Sequence, residues 1–222
     1  IVDNILLAQE LLYDLDYKIR GGNLIMKLDM EKAYDRLDWG FIFAMFDNLG
    51  FHWKFTYMIK RIMCNNWFSI IVNGKSTGFF PSTRGLRQGD PLSPTLFILA
   101  SEFLSQGLNH LFTSYSSTRF KTSASSWISH LCFADDCIIF LNGSKSSVKH
   151  VINFLSHYER ISGQRINRNK SSLIFPRKSK ASKKRPIKQL TGMLDHPLPF
   201  YYLGIPLTLG WRDNQSYNGL FE

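Results

Sequence analysis

"HLCFADDCIIFL", residues 130–141, sets two adjacent carboxylates, Asp135 and Asp136, inside an otherwise apolar run. Like charges this close repel, and apolar surroundings add a desolvation cost unless something offsets it. A solvated turn is one offset and a bound divalent cation is the other. The flanks, "WISHLCF" and "CIIFLN", read as two strands joined by a turn at Ala134-Asp135-Asp136. Neighbouring strand residues point to opposite faces, so the two acids converge only at such a turn.

A third acid stands at the end of a similar run. "LIMKLDM", 24–30, reads as a short buried strand closing on Asp29, followed by the polar "EKAYD". Two strands presenting three carboxylates at one sheet edge suit a hard cation such as Mg²⁺, which takes oxygen ligands and keeps several waters. Two such ions roughly 4 Å apart would orient the attacking and leaving oxygens of a phosphoryl transfer. A plain Asp-Asp turn and a helix N-cap at Asp29 are the competing readings, and spacing does not choose between them.

Outward from these strands the elements alternate. Residues 1–15 carry apolar positions at helical spacing, and "RGGN" at 20–23 breaks the pattern. Asp38 is placed to N-cap a helix through "WGFIFAMFDNL" to Gly50, and an aromatic helix is expected over 52–64. "FSIIVNGKSTGFF" carries the Asn73-Gly74 hairpin signal. "RGLRQGDPLSP" is a Gly/Pro loop before the long apolar helix "TLFILASEFLSQGLNHLF", and 113–126 reads as a Ser/Thr-rich loop. An amphipathic helix over "SKSSVKHVINFLSHYERISG" ends at Gly163, and "SLIFP" is a short strand. Helices mixed with hairpin strands make the class α+β.

The chain has 222 residues with 44% hydrophobic content, enough to bury a sizeable core. It carries 27 Lys and Arg against 17 Asp and Glu, and the excess is localised. Thirteen of the cations and a single acid, Glu159, lie between Cys137 and Leu194, densest in "RKSKASKKRPIK" at 177–188. That run suits either a polyanion, most often nucleic acid, or a solvated linker. Cys64, Cys132 and Cys137 lack metal-ligand spacing and read as reduced thiols of an intracellular protein. No apolar run reaches the roughly 18 residues of a membrane span. The start, "IVDNILLAQELL", lacks an initiator Met and a signal-peptide charge and reads as the interior of a longer protein.

Taken in order, these stretches resemble a reverse transcriptase, most closely the LINE-type (non-LTR) retrotransposon enzymes and in particular those of plant elements. "KLDMEKAYDRLDW" is similar to the family's first catalytic motif, "RGLRQGDPLSPTLF" to the second, "FADD" to the third and "SGQRINRNKS" to the fourth. "YYLGIPL" resembles the fifth, and "IVDNILLAQEL" the helix before the first. The resemblance spans essentially the whole chain.

It implies a right-hand polymerase palm, an antiparallel sheet backed by helices, with partial fingers and little or no thumb. The implied layout is a helix leading into fingers and palm at 1–23, the palm with four motifs at 24–176, a basic linker at 177–188, and the primer-grip region with the start of the thumb connection at 189–222. By resemblance Asp29, Asp135 and Asp136 are the catalytic acids and, with the Met30 carbonyl, the ligands of two Mg²⁺ ions, or Mn²⁺ in their place. Lys170 matches the fourth motif's basic residue, a proton donor to pyrophosphate or a simple phosphate attractor. Tyr34 matches the bulky residue that blocks a 2′-OH, with core packing as the alternative. Gln88 and Gly89 match the loop at the incoming nucleotide. Arg84, Arg87, Phe133, Tyr202 and Gly204 lie where primer and template run, although Tyr202 also suits a core.

The implied partners are an RNA template, a DNA primer and deoxynucleoside triphosphates, at a nuclear site and with no membrane. Oligomeric state is open. A catalytically inactive nucleic-acid-binding remnant and a maturase-like relative share these motifs. A two-metal nuclease fits less well, because its usual His-containing acidic cluster has no counterpart.

Overall fold

The apolar "NLIMKL" forms strand β1 (Asn23–Leu28), which pairs antiparallel with β5 (Asp136–Asn142) on one side and β6 (Ser172–Ile174) on the other. β4 (His130–Phe133) adds to β5, and β7 (Leu194–Asp195) runs parallel to β6, giving the order β4-β5-β1-β6-β7. Both β1 and β5 are buried on both faces for most of their length. That explains why they read as continuous apolar runs rather than alternating ones. The computed structural model describes residues 1–123 and 127–209. They divide into a first unit, Ile1–Met30, Ser105–Ser156 and Ile166 onward, and a second, Glu31–Leu104 and His157–Arg165.

In the first unit, one sheet face meets helix α1 (Val2–Tyr13) and the hairpin of β8 (Phe200–Tyr202) and β9 (Ile205–Leu207). Ile25, Ile138 and Phe140 join Leu11, Leu12, Phe200 and Leu207 in one core. Each such side chain contributes about 1.5–3 kcal/mol relative to exposure. Asn23, buried at the start of β1, is satisfied by its neighbours. Its side-chain amide donates to the Asp14 and Lys121 carbonyls at 2.7 and 2.8 Å, and its Oδ1 accepts from the Lys121 N–H at 2.9 Å.

The stretch expected as a basic linker over 177–188 is mostly helix. Helix α7 spans Ala181–Thr191 and ends on Gly192 in the left-handed region. Ile187 and Thr191, four residues apart, are its buried stripe. One apolar and one polar anchor among so many lysines leave a helical period too faint to read. Lys184 and Lys188 then clamp Asp195 of β7, at 3.3 and 2.6 Å. The thumb connection expected at the end of 189–222 lies, past Leu209, outside the described residues, as do 124–126 of the Ser/Thr-rich loop.

The second unit contains α2 (Ala33–Arg36), α3 (Trp39–Asn48), α4 (Trp53–Cys64), and the ribbon of β2 (Trp67–Val72) and β3 (Lys75–Pro81). Parts of α5 (Ser93–Ser114) and α6 (Lys145–Ser162) belong to it as well. Asp38 caps α3 as its sequence position indicates, accepting the Phe41 N–H at 3.0 Å. Asn73 and Gly74 both adopt positive φ, 51° and 77°, matching the two-residue turn that an Asn-Gly pair favours.

Tyr158 of α6 is buried beside Phe41, ring centroids 6.2 Å apart, and burial pushes its phenol up to about 12, partly offset by a Ser162 hydrogen bond. The unfolded phenol ionises near pH 10, so between about pH 10 and 12 the unfolded chain loses a proton that the folded chain keeps. Stability from this group is complete below pH 10 and falls as pH rises. Urea unfolding from pH 9 to 11.5 is expected to show this decline, and a Tyr158→Phe chain should show a shallower one.

Candidate functional site

β1 and β5 are paired so that Leu28 faces Cys137. One step further along each strand stand Asp29 and Asp136. β4 and β5 close through Phe133 opposite Asp136, leaving Ala134 and Asp135 as the two turn residues. Ala134 takes φ 51°, an uncommon value for a residue with a Cβ, which turns the chain tightly enough to set the two acids side by side. The turn is thus one residue shorter than the sequence suggests, because Asp136 already belongs to the strand. Strand register ends β1 beside this turn, near enough for Asp29 to act on the Asp136 carboxyl.

Solvation is the offset observed at this pair. Asp135 is exposed on the turn and Asp136 is half-buried. Burial raises the Asp136 carboxyl above the ordinary carboxylate range, Lys27 pulls it back, and Asp135 and Asp29 raise it further. The three acids therefore share one electrostatic field. Lys27 lies two residues before Asp29 on the same face of β1, and its ammonium donates to the Tyr201 carbonyl at 2.8 Å. Sequence reading passed over this lysine, although the i, i+2 spacing in "KLD" was its signal. Among the described residues, no group of three or more His, Cys, Asp or Glu side chains is placed to hold a metal ion.

The backbone of Asp29 is held by the fourth-motif segment. Its N–H donates to Ser171 Oγ at 3.0 Å, and its carbonyl accepts from the Asn167 N–H at 2.8 Å. Met30 pairs with Ile166 in an isolated antiparallel bridge whose bonds run through the residues on either side, so the bridge leaves the Met30 carbonyl unused. Lys170 sits exposed in the tight turn after Asn167, its N–H donating to the Asn167 carbonyl at 3.1 Å.

Phe133 is 40% exposed beside the acidic turn, whereas Tyr202 is fully buried in the core. Its hydroxyl reaches the Leu131 carbonyl at 3.5 Å, and burial raises its pKa. Of the two readings of Tyr202, packing describes this side chain. Strand alternation puts Tyr201, 56% exposed, on the surface instead. Gly204 forms the turn of the β8–β9 hairpin with φ 80°.

Cys132 and Cys137, expected as reduced thiols, are joined as a disulfide; their strand register sets them directly opposite, Cα atoms 4.2 Å apart.

Tyr34, Arg84, Arg87, Gln88 and Gly89 belong to the second unit. Tyr34 stacks on Phe97, centroids 4.8 Å apart, which holds its ring in place. The loop from Gly85 is tied to the segment after Asp29 by backbone. The Gly85 N–H donates to the Leu37 carbonyl at 2.8 Å, and the Leu86 N–H to the Tyr34 carbonyl at 2.7 Å. Trp39 Nε1 donates to the Gly85 carbonyl at 2.7 Å. Gln88 donates to Asp35 Oδ1 at 3.1 Å, a tie between two motifs that no spacing rule reveals. Ser93 Oγ closes the loop on the Arg87 carbonyl at 2.6 Å, while Arg84 and Arg87 stay exposed.

The α+β arrangement is a reverse-transcriptase palm-like fold. A telomerase from Candida tropicalis, solved with a TWJ fragment of telomeric RNA, matches it with a TM-score of 0.61 at 18% identity, over 96% of this chain and 33% of that one. At such low identity the likeness shows the fold alone. The chain belongs to the reverse transcriptase (RNA-dependent DNA polymerase) family, whose model matches residues 6–207. The Pol polyprotein of the type-1 retrotransposable element R2 from Popillia japonica is 27% identical over 68% of this chain and 24% of its own length. An uncharacterized mitochondrial protein of Arabidopsis thaliana is 43% identical over 33% of this chain and 62% of its own. The R2 relatives set the chain among the LINE-type (non-LTR) members of the family. The chain spans about a quarter of the Popillia japonica R2 protein's length.

Proposed function

We propose that this chain is the catalytic palm of an RNA-directed DNA polymerase that adds deoxynucleotides to a primer 3′-OH along an RNA template. The observation that supports this reading is the strand register, Leu28 facing Cys137, which ends β1 beside the turn that carries Asp135 and Asp136. The donor set fits Mg²⁺: carboxylate oxygens and a backbone carbonyl are hard ligands, and Mg²⁺ is bound through one or two carboxylates plus substrate phosphates rather than an all-protein cage. Asp29, Asp135, Asp136 and the Met30 carbonyl would hold the ions. When bound, such ions lower the pKa of the attacking hydroxyl and stabilise the leaving oxygen.

The chain's own residues do the positioning. Lys27, anchored on the Tyr201 carbonyl, moderates the repulsion among the acids. Ser171 and Asn167 hold the Asp29 backbone at the end of β1. Tyr34, braced by Phe97, would exclude a 2′-OH, and Gln88 and Gly89 would meet the incoming nucleotide. Lys170 would attract or protonate the departing pyrophosphate. Phe133, Gly204, Arg84 and Arg87 would border primer and template, with Tyr202 supporting that strand from the core. A nuclear site of action, where chromosomal DNA supplies the primer, belongs to the same reading.

The test is extension of a labelled DNA primer on an RNA template by the full chain. Incorporation should follow the template base, require Mg²⁺ or Mn²⁺, and stop with EDTA. Incorporation that ignores the template or survives EDTA would overturn the reading.

A further inference from the structure

Away from the acidic turn, the first unit gathers more cations than acids around one groove. A groove of about 570 Å³ opens where the loop after α1 meets the turn at 176–180 and the first turn of α7. Lys18, Lys178 and Lys180 are exposed along it, and Lys183 is half-buried. Arg177 also lines the groove but is committed to Asp16, 3.9 Å away, and to the Leu209 carbonyl at 2.7 Å. Among the described residues, none of the four lysines forms an ion pair. Their helix-mates Lys184 and Lys188 are both held by Asp195.

This arrangement does not serve the fold. Four like charges around one groove repel, and the start of a helix disfavours cations because of its dipole, yet α7 has no acid in its first turn. Lys183 packs over Gly22, where a Cβ would strike its ammonium, and burial lowers its pKa. Asp16, the acid that lines the groove, is taken by Arg177, so the four lysines are left to be complemented by an anion from outside.

The chemistry favours a polymer over a small anion. The lysines are spread along the groove, and as point charges they read phosphates rather than base edges. Tyr17, 43% exposed on the same groove, offers a ring for stacking. We propose that this groove holds the sugar–phosphate backbone of RNA, as an anchor separate from the acidic site. The choice of RNA rests on the template reading above. Binding is therefore measured in EDTA without nucleotides, where loss of polymerase chemistry changes nothing.

The experiment is fluorescence anisotropy of a labelled RNA hairpin with the full chain, titrated from 50 to 200 mM salt. Lys178→Gln/Lys180→Gln/Lys183→Gln is expected to weaken binding roughly tenfold to a hundredfold and to shrink the slope of log K against log salt by about 2–3. A Lys121→Gln/Lys145→Gln/Lys149→Gln chain, which loses the same charge elsewhere, should bind within about threefold of the parent. Lys178→Arg/Lys180→Arg/Lys183→Arg should keep the affinity. Equal loss from both Gln triples, or none from the first, overturns the proposal. A DNA hairpin bound as tightly and weakened as much overturns the assignment to RNA. As a second readout on the unmutated chain, 4-thiouridine RNA should cross-link to the peptide bearing Tyr17; labelling confined to other peptides also sinks the idea.

Discussion

Asp135→Asn/Asp136→Asn is expected to lower RNA-templated incorporation by about a thousandfold or more while the chain stays folded. Metal-borne charge stabilisation is worth several kcal/mol, and each ~1.4 kcal/mol is a factor of ten in rate. The same substitution should leave stability level or raise it slightly. Asp136 carries a carboxyl already raised by burial and by Asp135 and Asp29, so removing its charge relieves more than it loses. Lys27 loses an attractive neighbour but keeps the Tyr201 carbonyl. Single-turnover primer extension beside a urea unfolding curve separates the outcomes. Lost activity with an unchanged midpoint supports the assignment. Equal activity in both chains would take the chemistry away from this turn.

Gly85→Ala is expected to cost about 3 kcal/mol in unfolding free energy, against about 1 kcal/mol for Gly89→Ala. Both glycines hold nearly the same backbone angle, φ 85° and 86°. Their surroundings differ. A Cβ at Gly85 would lie 2.6 Å from the Asp35 carbonyl oxygen, while at Gly89 no atom stands within 4 Å. The left-handed backbone costs a residue with a Cβ roughly 1–2 kcal/mol, and at Gly85 that adds to a collision with backbone that cannot turn aside. Yielding there would pull Gly85 from Leu37 and Trp39 and loosen the loop carrying Gln88. Urea midpoints of the two chains test the contrast, and equal midpoints would mean that the loop adapts more freely than its hydrogen bonds imply.

The hairpin around Asp135, the cap at Asp38 and the Asn73-Gly74 turn were legible because each depends on residues close in sequence. Helix α7 was not, since its lysines mask the spacing of Ile187 and Thr191 and its helical state comes from docking that stripe. The part of Tyr202 was open for a related reason: "YY" shows alternation, but only the packed core says which ring turns inward.

By itself, the sequence determined the class of fold, because turn chemistry and apolar patterning act over a few residues; the order of its motifs and the three candidate acids came with the family resemblance. Tertiary structure alone decided that Asp29 and Lys27 act on the Asp136 carboxyl and that Gln88 is tied to Asp35. Those pairings join residues far apart along the chain. Their partners are chosen by sheet register and loop closure, which depend on burying both faces of β1 and β5 at once.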